Sequence, residues 1–259
     1  MIELKQYGFI EPTILKEDYV FGSNLPLEVI NPSGNWEQWL PVFEHQATNY
    51  ETFGCTIYAT LNQVETYFKK VFGFEPNYAE RFNYNLVGIT PPGASPSLAY
   101  ESIRKQGVID EPLLPRPNTL EEFLQPKPML SGFLKKGLEF INNYEFKHEW
   151  VDNPNPDTIK EALKYSPVAC SVTAWIQDLN GLYIDGGQPN SHWTLAFKVE
   201  DGKIHVFDSY DSSIKILHPD HKIKVAKRIH ITKRETPIPP KRVWFWGDYL
   251  LLKRWKFLI

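Results

Sequence analysis

Cys55, His192 and Asp208 are the residue types of a thiol nucleophile, a base and an acid that orients the base. Cys55 follows Phe53-Gly54 and opens an apolar run with helical spacing, which puts its sulfur at a helix start. A helix N-terminus presents unpaired N–H groups and partial positive charge, conditions that lower a thiol's pKa and favour the thiolate. Gly54 leaves the space beside the sulfur open. His192 begins an alternating run, and Asp208 closes the run that returns beside it, so a carboxylate can face the imidazole. That bond fixes the tautomer and steadies the imidazolium. The three residue types together imply attack on a carbonyl carbon.

The other histidines are placed less well. His205 lies mid-strand, His218 and His221 flank the turn at Pro219-Asp220, His45 lies in a loop, and His148 and His230 have no acid in a comparable position. Cys170, the second of two cysteines, sits in a compact apolar run and reads as a small core residue. Two cysteines build neither a disulfide framework nor a Cys-x-x-Cys metal pair, and the reading assigns no metal and no cofactor.

These residues need elements to hold them. Ile57, Leu61, Val64, Phe68 and Val71 predict a long helix over 54–72, with Thr52 as its N-cap. Residues 73–95 carry many turn formers and read as loop. A second helix is expected over 97–105, capped by Ser95 or Ser97 and ended by Gly107, with shorter helical pieces over 120–124 and 132–143. Pro154 and Pro156 break the chain, and Asp157 caps a short helix to Tyr165. Pro167 to Val172 reads as a buried strand. His192 to Val199 and Lys203 to Asp208 form a hairpin through Asp201-Gly202, and 222–232 holds a further strand. Helices first and an antiparallel sheet second define an α+β fold.

The pattern of cysteine at a helix start, a helical half, a strand histidine and an acid or amide sixteen residues later resembles the papain-like cysteine peptidases. Ser95 to Pro112 looks like that family's second helix and following turn, and Asp157 to Val172 like its short helix and first sheet strand. Asp208-Ser209-Tyr210 resembles its Asn-Ser-Trp, with the aromatic shielding the bond to the histidine. The resemblance spans about residues 36–215 and implies a two-lobed fold, helical lobe first. It also implies an oxyanion donor before the nucleophile, either Gln46, in an approach that matches the family's, or Asn49, at the family's usual distance. The chain departs at Asp208, where the family more often has Asn, and at Thr56, where Trp is usual. No long inhibitory propeptide precedes the nucleophile, which suits an intracellular or virus-encoded relative. Cys55 to Glu65 also resembles papain-like proteins encoded by tailed phages.

The expected organisation is an extended segment over 1–35, a helical lobe over 36–152, a sheet lobe over 153–235 and an aromatic, basic tail over 236–259. A net charge of -3 argues against nucleic acid as a partner. The tail suits a partner protein or a membrane surface, and no run is apolar and long enough to span a bilayer. The expected compartment is the cytoplasm, with a virion component as the alternative. The expected activity is hydrolysis of peptide or isopeptide bonds in a protein or peptide substrate. Acyl transfer, cell-wall amidase activity and a catalytically silent phage structural or binding role are the alternatives.

Overall fold

The computed structural model describes residues 7–15, 18, 20–22, 28–125 and 131–236. The expected tail over 236–259 therefore lies, past its first residue, outside the described residues. The elements run β1 (Gly8–Phe9), α1 (Cys55–Val71), α2 (Glu80–Val87), β2 (Gly93–Ala94), α3 (Pro96–Gln106), α4 (Leu120–Leu124), α5 (Ser131–Asn143) and β3 (Tyr144–Val151). They continue as α6 (Pro156–Ala162), β4 (Val168–Val172), β5 (Ile176–Gln177), β6 (Tyr183–Ile184), β7 (His192–Glu200), β8 (Lys203–Phe207), β9 (Lys215–Ile216) and β10 (Ala226–Lys233).

Six strands form one antiparallel sheet in the order β3-β10-β4-β7-β8-β9. The α+β class and the helical-first order stand. The boundary at residue 152 does not, because β3 pairs along its length with β10 and belongs to the sheet. Its last three residues, Glu149, Trp150 and Val151, are all buried, because this end of the strand is covered on both faces. The turn-rich stretch 73–95 likewise contains α2. That helix is held partly by Arg81, whose guanidinium donates to the carbonyls of Glu122, Phe123 and Gln125 at the end of α4.

α1 is the central strut. Every residue from Cys55 to Phe68 is buried, because helices and sheet cover it on all sides. Its polar residues therefore need internal partners. Gln63 donates to the Pro167 carbonyl at 2.7 Å and the Lys227 carbonyl at 2.9 Å, and accepts from the Tyr100 hydroxyl at 2.5 Å. Thr60 and Thr66 donate to carbonyls one turn back, both at 2.6 Å. The core around the helix is aromatic, with Trp36, Tyr67, Phe68, Tyr100 and Trp193 all at most 1% exposed.

The hairpin β7–β8 turns at Asp201-Gly202, both at positive φ, and a bulge interrupts its register between Ala196 and Lys198. Leu195 stands opposite Phe207, so the chain leaving β8 returns toward the first residue of β7. That geometry delivers Asp208 to His192.

Candidate active site

Phe53 sits at φ 54, in the left-handed region, and turns the chain sharply into α1. The Glu51 carboxylate holds the turn by accepting from the Phe53 N–H at 2.7 Å. Gly54 is the N-cap, and a side chain there would press on Thr52, Tyr58 and Tyr84. Thr52 does not cap the helix as expected. Its hydroxyl accepts from the Gly54 N–H at 3.2 Å and donates to the Gln46 carbonyl at 3.1 Å, bracing the turn instead. Cys55 is thus the first helical residue, where N–H groups have no intrahelical acceptor. Its sulfur lies against the backbone of Trp193, the residue after His192.

His192 Nε2 and Asp208 Oδ1 are 2.6 Å apart, and the Ser209 N–H donates to the same oxygen at 2.8 Å. Oδ2 forms an ion pair with Lys215 Nζ at 3.1 Å. Burial alone would raise the Asp208 pKa. The contact with His192 and the Lys215 ammonium outweigh burial and hold the carboxyl at about 2. The imidazole is walled by Tyr7, Trp175 and Tyr210, with ring centroids at 5.6, 5.7 and 5.5 Å. Nδ1, the nitrogen away from Asp208, is buried and makes no hydrogen bond to the described residues.

Of the two amide candidates, the structure brings Gln46 into this site. Gln46 is fully buried. Its Nε2 donates to the Tyr210 hydroxyl at 2.7 Å, Glu51 Oε1 at 3.1 Å and the Tyr7 carbonyl at 3.4 Å. Its Oε1 accepts from the Ser209 hydroxyl at 2.6 Å, and Arg116 holds its backbone carbonyl at 2.9 Å. Tyr210 donates in turn to Glu51. Asn49 is exposed and sits at φ 59, a turn residue remote in role from the amide cluster.

The groove between helix start and strand start is filled by the chain itself. Tyr7 donates its N–H to the Ser191 carbonyl at 3.3 Å and gives its own carbonyl to Gln46. Gly8 and Phe9 pair in parallel with Gly93 and Ala94, and the Ile10 N–H continues to the Ala94 carbonyl at 3.0 Å. Phe9 stacks on Trp193, with centroids 5.9 Å apart and planes 1° from parallel. Only glycine fits at position 8, at φ 104, because a Cβ would drive into the Phe53 carbonyl.

This segment corrects one expectation. Cys55 and His192 are both 0% exposed. Burial pushes the Cys55 thiol pKa well up, the Trp193 and Thr56 backbones pull it down, and the charges of Asp208 and Glu51 add to the rise. In this closed arrangement burial disfavours the thiolate, against the lowering expected of a helix N-terminus. Cys170 is a fully buried core residue of β4, as its apolar surroundings imply. Among the described residues, no group of three His, Cys, Asp or Glu side chains could hold a metal.

The antiparallel sheet and the central helix that opens at Cys55 define a papain-like fold. Solved structures place it there as well. The bromelain protease of Ananas comosus, in complex with the E64 inhibitor, superposes with a TM-score of 0.57 at 15% identity, over 74% of this chain and 95% of bromelain. The ragweed pollen allergen Amb a 11, a cysteine protease in its proform, gives 0.55 at 12% identity, over 85% and 69%. Digestive procathepsin L 3 of Tenebrio molitor larval midgut gives 0.54 at 15% identity, over 86% and 76%. By sequence, no family model and no curated protein matches the chain. Sequence reasoning missed Tyr7, Glu51, Trp175 and Lys215. Glu51, four residues before the nucleophile, carried the one local signal that could have been read.

Proposed function

We propose that this protein is a papain-like cysteine peptidase that hydrolyses peptide or isopeptide bonds. The observation that supports the reading is that the Cys55 sulfur lies against the backbone of Trp193, the neighbour in sequence of the Asp208-bound His192, while Gln46 Nε2 donates to a peptide carbonyl, that of Tyr7. Once a substrate replaces residues 7–10, the Cys55 proton passes to His192 Nδ1 and the sulfur attacks the substrate carbonyl carbon. Gln46 Nε2 and the Cys55 N–H hold the oxyanion. The imidazolium protonates the leaving nitrogen as the C–N bond breaks, and water releases the thioester. Asp208 keeps Nε2 protonated throughout, so Nδ1 is the nitrogen that takes up the proton and then gives it away.

The test is a chain beginning at residue 12, offered an unstructured protein substrate and E64, the ligand of the bromelain structure. Substrate cleavage and stoichiometric E64 labelling at Cys55, both lost in His192→Ala, are expected. A folded, shortened chain that does neither refutes the reading. Acyl transfer uses the same parts with an amine in place of water, and appears as aminolysis products in the same assay. The full burial of Cys55 favours a second reading, a silent binding protein, in which shortening the chain yields no thiol reactivity.

A further inference from the structure

We propose that Lys215 is a positioning residue of the Asp208–His192 pair: its ammonium occupies Oδ2, leaving Oδ1 to the imidazole, and offsets part of the carboxylate's charge at the thiol. The inference rests on the reading of Cys55 as nucleophile and His192 as base.

The two oxygens of Asp208 are divided. Oδ1 meets His192 and the Ser209 N–H, and Oδ2 meets Lys215 at 3.1 Å. The Lys215 contact is an ion pair without the alignment of a hydrogen bond, so it acts as charge. Lys215 is 3% exposed and Asp208 0%, and an ammonium so deeply buried needs a counter-charge. The sheet fixes its place, because Lys215 stands opposite Val206 in β8. Its Nζ lies 5.3 Å from the Trp175 ring centroid and 5.9 Å from that of Tyr183. Trp175 is also the ring that packs edge-on against His192, so one indole walls both the base and the lysine.

The need for a cation follows from the neighbours. The groups facing the pair are Cys55 from α1, Tyr7 from the N-terminal segment, Glu51 through Tyr210, and Asp211, which is 3.5 Å from Lys215. All of these are neutral or acidic, and the charges of Asp208 and Glu51 disfavour the thiolate. A neutral amide at position 208 would orient the ring without that cost. This chain has a carboxylate there, and Lys215 offsets part of its charge.

The experiment is the pH dependence of Cys55 alkylation by iodoacetamide in the full chain, read by mass spectrometry with Cys170 as internal control. Cover by residues 7–10 scales the rate at every pH and leaves the midpoint in place. Removing the cation in Lys215→Met moves the onset of alkylation up by about one pH unit, and Lys215→Arg restores it. Asp208→Asn, which leaves the ammonium unopposed, moves it down. The double variant, neutral at both positions, returns near the wild-type midpoint. A purely structural lysine would lower stability without opposite shifts in the two single variants. Single variants that shift in the same direction, or not at all, overturn the proposal. Should Lys215→Met fail to fold, the double variant decides: a midpoint like that of Asp208→Asn alone overturns it. Loss of peptidase activity in every form with the opposite shifts intact would sink the proposed function and leave the positioning role standing.

Discussion

Replacing Gly8 with Ala should open the groove, and the size of the effect can be worked from the structure. Besides the pairing of β1 with β2, three hydrogen bonds hold the segment, Tyr7 N–H to Ser191, Gln46 to the Tyr7 carbonyl and Ile10 N–H to Ala94. At about 1 kcal/mol net each they contribute about 3 kcal/mol. Phe9, 4% exposed on Trp193, adds about 2–3 kcal/mol. Ordering residues 7–10 costs about 4–8 kcal/mol of backbone entropy, so the closed state is held by little. Alanine at position 8 adds left-handed strain and a collision with the Phe53 carbonyl. Together these cost about 3 kcal/mol or more and shift opening about a hundredfold. The assay is iodoacetamide labelling of Cys55 at pH 8, with Cys170, buried in β4, as control. Cys55 labelling should accelerate at least tenfold while Cys170 stays slow. An unchanged Cys55 rate in a variant with wild-type circular dichroism would show that something other than residues 7–10 covers the sulfur.

Further outcomes follow from the site and the core. Gln46→Ala should lower kcat on a peptide substrate by about a hundredfold or more, as loss of an oxyanion donor does, while E64 labelling of Cys55 persists; a kcat within twofold of wild type removes Gln46 from the oxyanion hole. The Asp208 carboxyl is depressed from 3.8 to about 2, so its contribution to stability, about 2 kcal/mol, is complete above pH ~4 and is lost as pH falls toward 2. Urea unfolding at pH 5 and pH 2.5 should show this loss in the wild type and less of it in Asp208→Asn; equal losses contradict the assignment. Gln63→Ala strands the Pro167 and Lys227 carbonyls and the Tyr100 hydroxyl, and should cost about 3 kcal/mol in urea unfolding. A change below 1 kcal/mol would mean those groups find other partners.

The positions of Cys55, His192 and Asp208 were legible because each sits at the end of an element whose periodicity is strong. α1 lies within a residue of its expected ends, and Asp201-Gly202 turns the hairpin that joins His192 to Asp208. α2 was not legible, because its sequence, Glu80-Arg-Phe-Asn-Tyr-Asn-Leu-Val87, buries polar groups whose partners lie some forty residues away. β3 was missed because it follows α5 directly, with no turn former between them to announce a new element. Lys215 was invisible for a different reason: a lysine reads as surface until its buried counter-charge is known. The closure of the groove is wholly tertiary. Nothing local in Tyr7-Gly-Phe9 marks it as an occupant, because its partners are at Gln46, Gly93 and Ser191.

The occupant of the groove is joined to the rest of the chain, and this sets the terms on which anything else can bind. A tethered segment acts at a local concentration in the millimolar range, fixed by its linker and independent of how dilute the protein is. Dilution cannot empty the groove, and a competing peptide must bind better than Tyr7-Gly8-Phe9 by enough to overcome that advantage. Cutting the chain between residues 11 and 15, ahead of the point where Phe21 bonds to Trp150, would remove the advantage and turn a contest within one molecule into an ordinary bimolecular one.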